Sequence, residues 1–142
     1  MSGSVTTCFL LLTLGADPLN EAAKKELKKL EGEWIVVSVE TSEGKQDADD
    51  ELVAIKFVGS KVTMLEQNGE IVALDAGANP KTLDIKSKVR GKEERVAEMI
   101  YKIEAETLVI VSYQGKDKNR PTSFDKPTDG KIQILTCTRA KK

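Results

Sequence analysis

From Gly32 onward the chain keeps returning to one pattern, a short run of aliphatic and β-branched residues followed by a turn. The runs fall at residues 34–40, 53–58, 61–66, 70–75, 82–87, 95–103, 108–113 and 131–139. A spacing of roughly ten residues is that of an all-β sandwich or barrel, because each strand crosses one layer and must then reverse. One stretch with helical periodicity, residues 19–30, comes first, and no second long one follows. With 142 residues the chain can bury one core in one domain. Short connections between successive runs favour up-and-down antiparallel order over Greek-key crossings.

Local signals fill in this outline. Asn20 can cap the helix, and Ala23, Leu27 and Leu30 share one of its faces. Lys24, Lys25, Lys28 and Lys29 fall on solvated positions near its negative C-terminal end, and Gly32 stops it. In the first strand, alternation sends Trp34, Val36 and Ser38 to one side and Ile35, Val37 and Val39 to the other. Both sides are largely apolar, so one is expected to meet the core and the other the helix. Asn68-Gly69 is a strong two-residue hairpin signal. Turns or loops are expected at residues 42–45, 59–60, 77–80, 88–95 and 114–130. The carboxylates of residues 47–51 lack the central Gly and final Glu of a calcium loop. Residues 47–52 read instead as a capped helical turn.

Composition removes several function classes. The chain has no His, which excludes Ser-His-Asp and Cys-His schemes and zinc sites that need imidazole. Lys+Arg is 22 against Asp+Glu 23, a net charge of −1 that gives no long-range attraction to nucleic acid or an anionic membrane. Gly91-Lys92 lacks the preceding Gly of a phosphate loop, and no cofactor is expected. Cys8 and Cys137 form no metal or redox spacing. Cys137 reads as a small hydrophobe in a strand, with a reactive thiol as the lesser alternative. Glu98, in an apolar strand, reads as pointing outward to solvent.

The apolar run at residues 5–14 is too short to span a bilayer, so no integral membrane span is expected. It suits the core of a signal peptide, followed by Gly15-Ala16-Asp17-Pro18, although no Lys or Arg precedes it. The expected division is a signal peptide over residues 1–16 and one domain over residues 17–142. Such a protein is exported to the periplasm, the cell envelope or the outside.

Gly32-Glu33-Trp34 at the start of the first strand resembles the Gly-x-Trp signature of lipocalins. In that superfamily the Trp plugs the closed end of an eight-stranded barrel and an Arg from the last strand packs across it. Arg139 stands where that Arg would be, and a guanidinium on an indole face is a sound closure. Residues 24–38, 56–63 and 118–124 extend the likeness, which covers roughly residues 20–139. Together they resemble the small lipocalin-like domain family common in planctomycetes. The resemblance implies an eight-stranded up-and-down antiparallel lipocalin-like barrel with a short N-terminal helix, and export, without implying a chemistry.

Such a barrel is either filled by side chains or hollow enough for one small ligand, and both fit the composition. If Trp34 faces inward as barrel closure with Arg139, then alternation adds Val36, Ser38, Ile55, Phe57, Val62 and Met64. Met99, Tyr101, Ile110 and Ser112 follow on the later strands, where the alternation can be read either way. The expected ligand contacts are Val36, Ser38, Ile55, Phe57, Met64, Tyr101, Ile110 and Ser112. The expected role is non-enzymatic binding of a small apolar or amphipathic molecule. A filled barrel serving as a structural or protein-interaction module of the cell envelope is the alternative. In the long loop, Lys116, Lys118 and Arg120 are interleaved with Asp117 and Asp125. The loop reads as stiffened by Pro121 and anchored on the barrel end by Phe124, with Arg120 bonding its own carbonyls.

Overall fold

The structure is a computed structural model that describes residues 19–47, 53–64, 67–88, 93–113 and 120–140. The expected signal peptide and most of the expected helical turn, residues 48–52, lie outside them.

Among the described residues one helix, α1 (Glu21–Leu30), leads into nine strands. They are β1 (Gly32–Thr41), β2 (Gly44–Asp47), β3 (Ala54–Val58), β4 (Lys61–Met64), β5 (Gln67–Asp75), β6 (Lys81–Lys88), β7 (Glu94–Glu104), β8 (Thr107–Tyr113) and β9 (Ile132–Arg139). Each pairs antiparallel with the next in the ring β1-β3-β4-β5-β6-β7-β8-β9, and β9 returns to β1, closing a barrel of eight strands. Closure leaves these strands without a free edge.

The ninth strand, β2, stands beside this ring. It pairs with Ser38–Thr41 of β1 across a tight turn at Ser42-Glu43, with Gly44 at positive φ beginning the strand, while β3 pairs with the first half of the same β1 edge. Its Gly-Lys-Gln-Asp sequence has no apolar alternation and three exposed side chains. Among the described residues its pairing with β1 is what holds it, which is why the strand is silent in the sequence and Asp47 is extended rather than helical.

The Asn68-Gly69 expectation fails for a related reason. Met64 pairs with Gln67, so β4 and β5 join at residues 65–66, outside the described residues, and Asn68 and Gly69 lie within β5 opposite Thr63 and Val62. Gly69 serves packing here: a Cβ on it would come within 2.8 Å of Ile85 Cγ2.

Helix α1 forms as its sequence dictates. Asn20 Oδ1 accepts from the Ala23 amide at 2.9 Å. Ala23, Leu27 and Leu30 are buried. They join the inner core cluster, so the helix seals one end of the barrel instead of covering the outer side of β1. Val37, on that outer side, stays exposed.

Antiparallel order then sorts the connections. β3, β5 and β7 end on the α1 side, and β4, β6 and β8 end on the opposite side. The inner half near α1 is densely filled by Trp34, Leu74, Leu83, Tyr101, Leu108 and Cys137.

Outside the wall, Ile100, Val111 and Ile134 make a second cluster under Val109, Phe124 and Ile132. Phe124 thus anchors the long loop on the barrel's flank, not its end. Arg120 reaches beyond its own loop: it donates to the Met99 carbonyl at 2.9 Å and lies 2.8 Å from Asp84 and 3.8 Å from Glu98.

Candidate ligand-binding cavity

Two features set the cavity's floor. The first is the indole of Trp34, fully buried, whose Nε1 donates to the Leu30 carbonyl at 2.7 Å. This bond satisfies one of the orphan carbonyls at the end of α1 and fixes the ring beneath the helix. The second is Arg139, whose guanidinium lies 4.1 Å from the indole centroid. It donates to the carbonyls of Glu31 at 2.9 Å and Lys29 at 2.8 Å, and its Nε lies 3.4 Å from Glu106. A single side chain from the last strand therefore closes the helix terminus, stacks on the first strand's Trp and meets the β7–β8 turn. The expected pairing of Trp34 with Arg139 is present, and Trp34 and Arg139 are also register partners across β1 and β9.

A buried polar group sits at the same end. Glu26, on the core side of α1, receives Lys81 Nζ at 2.7 Å and has Lys29 Nζ at 3.4 Å. Burial alone would push the Glu26 carboxyl up, but the hydrogen bond and charge of Lys81, with the charge of Lys29, outweigh it and hold it below its usual value. The Tyr101 hydroxyl faces this carboxylate from below. It is fully buried, forms no hydrogen bond of good geometry among the described residues, and is pushed well above its usual pKa by burial and then by the Glu26 charge.

Above this floor the barrel is hollow. A cavity of about 410 Å³ opens at the end opposite α1, within the range of pockets that hold small molecules. Val36, Ile55, Phe57 and Val62 line its lower part from β1, β3 and β4. Met64, Ile85, Ala97, Met99, Ile110 and Leu135 continue the apolar wall, with Val39 and Val53 beside them. Polar groups come from Gln67, Asn68, Ser87, Ser112 and Gln133, near the strand ends away from α1. Ser112 and Gln133 are register partners, as are Gly69 and Ser87.

Of the residues expected from sequence to meet a ligand, Val36, Ile55, Phe57, Met64, Ile110 and Ser112 line this cavity. Ser38 and Tyr101 do not. A β-bulge between Val36 and Ser38 inserts Val37 and shifts the alternation by one residue. Val39 takes the inward place opposite Leu135, and Ser38, opposite Thr136, is buried on the other side of the sheet. Tyr101 points inward but one layer too deep, packed in the filled half beneath the cavity. Gln133, Leu135, Ile85, Ser87, Ala97 and the β5 rim residues were not anticipated. The signal for those on β9 was present, because an inward Arg139 makes Cys137, Leu135 and Gln133 inward by alternation.

Two candidates for other chemistry lie elsewhere. Cys137 is fully buried beneath the cavity, and its thiol is pushed up to about 12 by burial. Glu98 is on the outer wall, as expected, but is half-buried beside Arg120 instead of fully solvated. Among the described residues no group of acidic, Cys or His side chains could hold a metal. No helix among them is long and apolar enough to cross a membrane. No protein-family model, curated protein or solved structure matches this chain.

Proposed function

We propose that this protein is an exported lipocalin-like carrier that binds a small apolar or amphipathic molecule inside its barrel, and that it acts by binding rather than by catalysis. The observation that carries this reading is the contrast within one barrel. The half beside α1 is packed solid, while the other half holds an apolar cavity of about 410 Å³ open at one end. Burying an apolar ligand there would contribute about 25 cal/mol for each Å² removed from water. The Trp34–Arg139 closure supports the likeness to the small lipocalin-like family, whose members are commonly exported.

The alternative, a filled barrel acting as a structural or interaction module, finds less support. The cavity is not filled, and the exposed large hydrophobics among the described residues are Val37 and Val58 alone. Native mass spectrometry of the protein from its own host tests the carrier reading. A copurifying small molecule released on denaturation is the expected result. A bare protein that also binds no member of an apolar ligand panel would overturn it.

A further inference from the structure

The cavity lining contains no Asp, Glu, Lys or Arg among the described residues, and the chain contains no His. Its polar side chains are amides and hydroxyls: Gln67, Asn68, Ser87, Ser112 and Gln133. We propose that the cavity selects an uncharged amphiphile, one ending in a hydroxyl, carbonyl or amide, over the carboxylate of the same chain length. This selectivity presupposes the binding role proposed above.

The side chains of Gln67, Asn68, Ser87 and Gln133 each carry both a donor and an acceptor, which is what a neutral hydroxyl or amide requires and what an anion uses only in part. Ser112 is only 6% exposed, so a head group seated beside the paired Ser112 and Gln133 leaves bulk water. A hydroxyl tolerates that transfer when it is hydrogen-bonded. An ionised carboxylate does not without a cation beside it, and it takes up a proton instead. The walls below are aliphatic, with Phe57 at the base, so the apolar tail lies inward and the head at the rim.

The test compares decanol with decanoate. The reporters are the ¹³C-methyl signals of Met64 and Met99, two of the three methionines in the chain, both of which line the cavity. Decanol is expected to shift both signals, with an affinity that does not change between about pH 8 and about pH 5.5, since the protein has no His to titrate there. Decanoate is expected to bind on the order of a hundredfold more weakly at about pH 7, gaining close to tenfold per pH unit as it protonates. Equal affinities at about pH 8, or tighter binding of decanoate, overturn the selectivity while the carrier role stands. No shift of either signal with either probe overturns both. As a converse test, Gln133→Arg places a cation at the rim and is expected to raise the affinity for decanoate relative to decanol by about tenfold at neutral pH. An unchanged ratio in that variant overturns the rim as the seat of the head group.

Discussion

The two ends of this barrel are built from the same strands and the same alternation, yet they do opposite things. At the α1 end, side chains are large and convergent. Trp34, Leu83, Tyr101 and Leu108 meet Leu27 and Leu30 from the helix, and Arg139 ties the helix terminus to the sheet. At the far end, the small residues Val39, Gly69, Ser87 and Ala97 alternate with Met64, Ile85, Leu135 and Gln133 around an open space. The difference teaches that hollowness here is a matter of side-chain volume and of one added helix, not of a different backbone plan. Stability should therefore be concentrated in one half and binding in the other.

Substitutions at the two ends can break or sharpen that division. Trp34→Ala is expected to show the largest loss, about 3–5 kcal/mol by urea unfolding, because it removes a fully buried ring and strands the Leu30 carbonyl. A loss near zero would mean that the closed end is not the stable half. Arg139→Ala should follow at about 2–3 kcal/mol, from two lost charge-assisted bonds and the stacked ring. Arg139→Lys should recover little of this, since an ammonium lacks the planar fork that reaches both carbonyls. Recovery of full stability by Lys would reduce the closure to a point charge.

Glu26→Gln comes next, with an expected loss of about 1–2 kcal/mol at neutral pH. Its pH dependence is the sharper observable. The folded carboxyl is held below its usual value, so its contribution is present above the unfolded pKa and disappears as pH falls through the folded one. The parent protein should lose stability below about pH 4.3 more steeply than the Gln variant. Parallel curves would remove Glu26 from the docking of α1. At the open end, Met64→Ala should cost less than about 1 kcal/mol, because the side chain already borders empty space and loses few contacts. The same variant should alter ligand affinity measurably, and unaltered affinity together with a large loss of stability would invert the comparison.

The sequence carried the architecture well because its evidence was repetitive. Alternating runs placed all eight barrel strands, Asn20 and the Ala23–Leu27–Leu30 stripe placed the helix, and Gly32, Trp34 and Arg139 placed the closure. What escaped were departures from strict period. Val37 adds one residue to β1, and every inward assignment beyond it moves, which is how Ser38 was misplaced and Val39 overlooked. β2 has no apolar face to signal it. The role of Gly69 depends on Ile85 from the neighbouring strand, a contact that no local pattern encodes. Arg120 likewise reaches Asp84 and Glu98 across a fold that its own loop does not reveal.

The sealed floor also dictates traffic. With Trp34 and Arg139 shutting the α1 end, the described residues leave the cavity open at the far end, so a molecule bound as proposed would enter and leave there, and an arriving one could not push it out from behind. Exchange must wait for vacancy. For a chain withdrawn along the barrel, each methylene lifted out of apolar contact adds about 0.8 kcal/mol to the climb, slowing departure about fourfold. Occupancy time should then lengthen geometrically with tail length and stop lengthening where the tail reaches Phe57. A barrel sealed at one end is in that sense a clock as well as a container.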